Sequence, residues 1–270
     1  MKPNPMTPAN ARNNLATLRA NDYPGRVVIG GAAKQSPFDN PAHVLITAIG
    51  GRSRDSRNRQ YVFDDDTLNI RTAFIEPSDA DPSLIIYSAM DNDGAMDFVA
   101  SNGHQTSAIL TAIRSGDGHQ VELETWEYEP DKPNYTPRIS ASMELLTNQP
   151  PRLILSRASK APEGTYLEIP AADEGSSIAS DCIRESWNLP SMPGIGYMLT
   201  TYEGNGDPIP SYLGPPMTVP LEGTPEEMLG TVWYALNDAT RVGICLRIID
   251  GVTGKFRTFI KNGDGDIVEV

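Results

Sequence analysis

Cysteine is nearly absent from this 270-residue chain. Cys182 and Cys245 cannot by themselves build a disulfide framework or a cysteine-rich zinc site. Histidine is as scarce: His43, His104 and His119 show no i, i+4 pairing, so nothing predicts a histidine metal site. No apolar run approaches the roughly 20 residues that span a bilayer. The opening Met1-Lys-Pro-Asn-Pro-Met-Thr-Pro8 lacks the apolar stretch of a secretory signal, so a cytoplasmic protein that avoids membranes is expected. No Gly-x-Ser-x-Gly elbow occurs, and Met1-Lys2 puts no Ser, Thr or Cys at the amino end. A covalent nucleophile is therefore not expected. Basic residues are few too: 22 Lys and Arg against 35 Asp and Glu give a net charge of −13. Such a surface repels nucleic acid and anionic lipid.

Against that acidic background, four arginines crowd into one stretch, Gly50-Gly-Arg-Ser-Arg-Asp-Ser-Arg-Asn-Arg59. The planar guanidinium fork suits bidentate contact with phosphate or carboxylate. The stretch reads either as a pocket for a small anion such as a nucleotide monophosphate or as a solvated basic loop. A second dense segment is Trp126-Glu-Tyr-Glu-Pro-Asp-Lys-Pro-Asn-Tyr-Thr-Pro-Arg-Ile139. Pro130, Pro133 and Pro137 each fix φ near −65° and bias the preceding residue toward extended backbone. The segment is thus expected to be extended and stiff, presenting Glu129, Asn134, Thr136 and Arg138. It serves as a ligand-binding platform or as a rigid connection into a strand that starts at Arg138.

The hydrophobic fraction of 39% is adequate for a core at this length. Thr7-Pro8 predicts a helix start, with Leu15 and Leu18 on a short helix and the first eight residues a disordered end. Strands are predicted at 25–30, 43–49, 84–90, 95–101, 138–144, 152–156 and 196–202, followed by a terminal meander over 241–249, 255–260 and 267–270. Asp91-Asn-Asp-Gly94 and Asp264-Gly-Asp266 read as turns, since neither completes a calcium-loop pattern. Helices are predicted from Gln105 to Arg114, from Thr224-Pro-Glu-Glu227 through Leu236, and over Ser177–Trp187. Hairpins with a few helices between them predict an α+β fold with largely antiparallel sheets.

Taken in order, these segments resemble the archaeal-type IMP cyclohydrolase family. The series is Tyr23-Pro-Gly-Arg26, Arg52 with Arg57 or Arg59, Tyr87, Ser101-Asn-Gly103, Tyr128-Glu129, Asn134 and Thr136-Pro-Arg-Ile139. Thr201-Tyr-Glu203 and Gly223-Thr-Pro-Glu-Glu227 give a weaker echo. The resemblance implies a four-layer αββα sandwich similar to N-terminal-nucleophile hydrolases but without an N-terminal nucleophile. It also implies one domain over residues 1–270, with 1–20 an N-terminal extension and about 157–196 an insertion.

The implied reaction closes the purine ring of 5-formamidoimidazole-4-carboxamide ribotide to IMP with loss of water. No metal or organic cofactor is implied, since neither redox nor carbanion chemistry occurs. By the resemblance, Tyr87, Glu129 and Arg138 carry the chemistry. Arg26, Arg52 and Arg57 hold the phosphate, and Asn102, Asn134 and Thr136 position the base. Which of Arg54, Arg57 and Arg59 faces the ligand stays open, and Tyr135 is one residue more than the pattern expects. The expected partner is a purine ribotide, and a homo-oligomer is the base-rate expectation. The alternatives are a non-catalytic purine-nucleotide-binding protein, or a related cyclohydrolase or amidohydrolase acting on a different ribotide.

Overall fold

The structure is a computed structural model that describes residues 5–94, 96–165, 167–170 and 177–270. Helix α1 (Ala11–Ala20) precedes a hairpin of β1 (Arg26–Ala32) and β2 (Ala42–Gly50). A one-turn helix α2 (Arg54–Arg57) leads into β3 (Arg59–Asp64), β4 (Asn69–Phe74), β5 (Ser88–Asn92) and β6 (Asp97–Ser101). Helices α3 (Gln105–Ser115) and α4 (His119–Thr125) come next, before β7 (Arg138–Glu144) and β8 (Arg152–Lys160). The rest is β9 (Leu167–Pro170), β10 (Ser177–Ser180), β11 (Cys182–Leu189), β12 (Ile195–Thr200), β13 (Met217–Pro220), α5 (Pro225–Trp233), β14 (Arg241–Asp250), β15 (Phe256–Asn262) and β16 (Val268–Glu269).

Two seven-stranded sheets result, ordered β13-β12-β1-β2-β14-β15-β16 and β11-β8-β7-β6-β5-β4-β3, with β9-β10 as a separate hairpin. The strand pairings in both are antiparallel, so the class is α+β. Side chains alternate across each strand. In β1 and β2, Val27, Ile29, Val44 and Ile46 face one way and pack with Leu18, Met228 and Trp233 of α1 and α5. Val28, Leu45 and Ile49 face the other way and meet Phe98, Ile139 and Leu155 of the second sheet. Both faces are covered, which is why β1 and β2 read as largely apolar runs, interrupted in β2 by His43 and Thr47. On the far face of the second sheet, Val99 packs under Ile109 and Leu110 of α3, and Ala158 under Leu123 of α4. The layers run helix, sheet, sheet, helix. No helix among the described residues is long and apolar enough to cross a membrane.

Two sequence expectations are corrected. The helix expected over Ser177–Trp187 is absent: β10 pairs with β9, and β11 pairs with β8 along eight positions from Cys182↔Lys160 to Leu189↔Leu153. Tertiary pairing decides such a stretch, whatever its local spacing suggests. The amino end is also docked within its described part. Pro5 O accepts from Thr218 N at 2.9 Å and from Asn14 Nδ2 at 2.7 Å, while residues 1–4 lie outside the described residues. Within 157–196, residues 166 and 171–176 likewise lie outside them.

The topology places the functional segments. Each antiparallel neighbour reverses direction, so alternate strand starts and ends meet at one edge. The start of β1 lies beside the ends of β2 and β12 through Arg26↔Ile49 and Val27↔Thr200. The start of β3 lies beside the end of β4, and the end of β6 beside the start of β7.

Candidate active site

Arg26, Arg59, Tyr87, Glu129 and Arg138 converge at that edge. Arg26 is the first residue of β1, and its backbone N–H donates to Thr201 Oγ1 at 3.0 Å. The preceding Gly25 has φ +70, and a Cβ there would lie 2.2 Å from Thr201 Oγ1, so only glycine permits this approach. Arg59 opens β3 and donates through Nη2 to Gly50 O at 3.0 Å. Tyr87 directly precedes β5, held by its N–H to Thr72 Oγ1 at 3.0 Å. Arg138 opens β7 and lies against Glu129, with Nη1 3.8 Å from Oε1.

The 126–137 segment is folded back on itself, which corrects the expected extended platform. The Asp131 carboxylate accepts from Thr136 N at 2.7 Å and from Thr136 Oγ1 at 2.5 Å. Asp131 O accepts from Asn134 N and Tyr135 N, and Tyr135 takes the left-handed conformation with φ 47. A turn built on one carboxylate outweighs the extended bias of three prolines. It brings Thr136 O onto Glu129 N at 2.8 Å and so fixes the position of Glu129. Thr136 Oγ1 gives its proton to Asp131, so the Tyr202 hydroxyl, 2.5 Å away, donates to Thr136. Tyr202 stacks on Tyr23 with ring centroids 5.7 Å apart.

Burial dominates the electrostatics. Arg59, Glu129, Tyr87 and Arg26 are 0, 3, 4 and 8% exposed. Desolvation raises the Glu129 carboxyl to about 7 despite the opposing pull of Arg26, Arg138 and Arg59; Asp131 adds to the rise. Burial holds Arg138 below its ordinary value and Arg59 down to about 10, with Arg26 also pushing Arg59 downward. Burial works against the Arg26 charge too, but Tyr23, Glu129, Tyr87 and Tyr202 outweigh it, so its value rises. The Tyr87 phenol is raised by burial, against Arg59 and Arg26, and stays protonated. Its hydroxyl faces Arg26 without completing a hydrogen bond. With Arg26 Nε, Arg59 Nε and Nη1, and Arg138 Nε, it is among the buried polar atoms that lack a hydrogen-bond partner among the described residues. Buried donors of this kind are rare and costly unless something accepts from them. A cluster of guanidiniums with orphaned N–H groups around a carboxyl that burial pushes upward is suited to an anionic, carbonyl-rich molecule.

The other expected residues take different places. Arg52 lies at the exposed rim, 5.3 Å above the Tyr23 ring, and donates to Asn205 Oδ1 at 2.5 Å and Gly206 O at 2.8 Å. Arg57 does not join the cluster. The capping box of Ser53 and Ser56 winds α2 so that Arg57 points outward and donates to Ala239 O, and Arg59 turns inward in its place. Arg54 borders a polar cleft of about 430 Å³ with Asp55, Glu76 and Asp79. Asn102 is saturated: Nδ2 donates to Pro137 O at 2.9 Å, and Oδ1 accepts from Ile139 N at 2.7 Å and Gln105 Nε2 at 3.2 Å. It pins the end of β6 to the start of β7. Asn134 Oδ1 accepts from Ile209 N at 3.1 Å, so Asn134 anchors the loop after Tyr202. An open cleft of about 590 Å³, lined by Tyr61, Phe63, Asp266 and Val268, contains none of these residues.

Sequence reasoning left Arg59 unresolved and did not single out Gln105 or Asp131. Gly103 stands where a Cβ would lie 2.5 Å from Arg138 Nη1 and 2.6 Å from Gln105 Oε1. The Ser101-Asn-Gly103 motif therefore makes room for Arg138.

The family model described as IMP cyclohydrolase-like protein matches residues 23–253, which include every residue of this cluster. No curated protein and no solved structure matches the chain. The matched range opens at Tyr23, beside Arg26, and α1 precedes it while packing into the core. The chain belongs to the family of IMP cyclohydrolase-like proteins.

Proposed function

We propose that the chain closes the six-membered ring of a purine precursor, converting 5-formamidoimidazole-4-carboxamide ribotide to IMP and water. The observation that carries this reading is Glu129: a buried carboxyl raised to about 7 and set among Arg26, Arg59 and Arg138. General acid–base catalysis at neutral pH works best with a group that gains and loses a proton near that pH.

The chemistry is intramolecular. The carboxamide nitrogen forms a bond to the formyl carbon, and the formyl oxygen becomes an alkoxide, then a hydroxyl, and leaves as water. Water takes one proton from the carboxamide nitrogen and one from the formamido nitrogen, which becomes the imine nitrogen of the ring. Ionised Glu129 accepts the first proton and returns it to the departing oxygen. The protonated Tyr87 hydroxyl and the Arg138 guanidinium donate to the developing oxyanion. Arg26 and Arg59 supply the buried positive field for an anionic substrate, with Arg52 at the rim. Thr136, Asp131 and Tyr202 hold the Glu129 loop in register. Asn102 and Asn134 act on backbone, which removes them from direct base recognition in this reading, and Arg57 is removed from phosphate binding. Holding the two reacting groups about 3–3.5 Å apart in a closed site supplies most of the acceleration for so weak a nucleophile. Entry of a ribotide requires rim segments to part, and their closure then excludes water.

Incubation with the formylated ribotide, followed by ultraviolet absorbance of the purine product, tests the reading. Turnover by the wild-type chain supports it. Tight IMP binding without turnover leaves the non-catalytic alternative, and neither binding nor turnover sinks both.

A further inference from the structure

Arg138 and Glu129 are buried, oppositely charged and adjacent, yet they do not close into a tight ion pair. The separation of 3.8 Å compares with about 2.7–2.9 Å for a charge-assisted N–H···O bond. The arginine is held elsewhere. Its guanidinium carbon lies 4.9 Å from the Trp126 ring centroid, in stacking range, and Nη1 donates to Gln105 Oε1 at 3.2 Å. Gln105 is itself fixed by Nε2, which donates to Asn102 Oδ1 at 3.2 Å. Gly103 leaves only enough space for this arrangement.

We propose that Trp126 and Gln105 are positioning residues that hold the Arg138 guanidinium off the Glu129 carboxylate, so that Glu129 stays free to exchange a proton. The aromatic face holds the position of the guanidinium, while at its edge the Gln105 carbonyl takes an Nη1 N–H that would otherwise turn to Oε1. Once the Trp126 face is lost, the single Gln105 bond does not hold Arg138, which falls onto Glu129 and locks it as a permanently ionised partner. The charged and titratable groups facing Glu129 are Arg26 from β1, Arg59 from β3, Tyr87 before β5, Arg138 from β7 and Asp131 on its own loop. Of these, Arg138 is the one within 4 Å in an ion pair with it. This inference rests on the cyclisation reading only for its consequence in turnover; the electrostatic claim is measured on the free protein.

The experiment is a carbon-detected NMR titration of the Glu129 carboxyl, assigned with Glu129→Gln, in wild type, Trp126→Leu and Trp126→Phe. An arginine brought into contact lowers a carboxylate by about 1–3 pH units. Trp126→Leu is therefore expected to move the Glu129 midpoint down by at least about one unit, and Trp126→Phe, which keeps an aromatic face, to restore it. The same comparison in an Arg138→Gln background separates this cause from simple wetting of the site: there Trp126→Leu should leave the midpoint where Arg138→Gln alone puts it. An unchanged midpoint in Trp126→Leu overturns the proposal, as does an equal drop in the Arg138→Gln background. A shift as expected, in a protein that does not turn over the formylated ribotide, supports the positioning role and rejects the cyclisation reading.

Discussion

Glu129 sits where its charge is costly, so Glu129→Gln should stabilise the fold while slowing the chemistry. Burial lifts its ionisation from 4.5 to about 7. Below 4.5 the folded and unfolded states both hold the proton, and glutamine is a close stand-in for the neutral acid. As pH rises from 4.5 to about 7 the unfolded chain releases its proton first, so wild-type stability falls across that window. Above it the whole difference is present, on the order of 3 kcal/mol at roughly 1.36 kcal/mol per pH unit. For chains of about 150–250 residues each kcal/mol moves Tm by roughly 2–4 °C. The variant is therefore expected to melt on the order of 6–12 °C above wild type near pH 8 and alongside it near pH 4. Scanning calorimetry at the two pH values reads this directly. A variant that melts below wild type near pH 8, or differs by the same margin at both, would refute the claim that desolvation of this carboxylate outweighs the pull of its arginines.

Other substitutions separate the cluster from its surroundings. Arg59→Met should weaken purine-ribotide binding by about 1.5–3 kcal/mol, the range for hydrogen bonds to charged groups, whereas Arg57→Ala should leave it near wild type; calorimetric titration with IMP distinguishes them. Gly103→Ala forces Arg138 from its place and should cost about 100-fold in kcat/KM with an unchanged circular dichroism spectrum, in line with the price of small misplacements. His119 lies buried between Ser142 Oγ at 2.7 Å and Ser156 Oγ at 2.6 Å, and burial lowers its ionisation from 6.5 to about 4. Its contribution is present above 6.5 and lost as pH falls toward 4, so His119→Asn should flatten the acid side of the stability profile measured by urea unfolding.

The parts of the molecule that announced themselves in the sequence carry a local rule. Thr224-Pro-Glu-Glu227 starts α5 with a complete capping box, and the apolar runs of β1 and β2 follow from burial on both faces. What stayed hidden depends on partners far along the chain. No local signal states that Cys182–Leu189 will add to β8. Within the site, the choice among four arginines turns on a single loop detail. Ser53 and Ser56 cap each other, α2 makes one turn, and the register that follows sends Arg59 inward. The Ser-x-x-Ser spacing was visible, but it is weaker than the usual Ser-x-x-Glu signature of a helix start. The prolines of 126–139 favour extended backbone, and the Asp131 carboxylate overrides that bias by closing the turn.

In the proposed reaction Glu129 moves a proton for ring closure in the presence of Arg26, Arg59 and Arg138. The pH dependence of kcat/KM for conversion of the formylated ribotide, measured for wild type and Glu129→Gln, tests that most directly. Activity should rise through a midpoint at about 7 in the wild type, and the variant should lose about 100- to 10,000-fold and show no such limb. A wild-type profile that stays level through neutrality, or a variant that closes the ring at the wild-type rate, would contradict it.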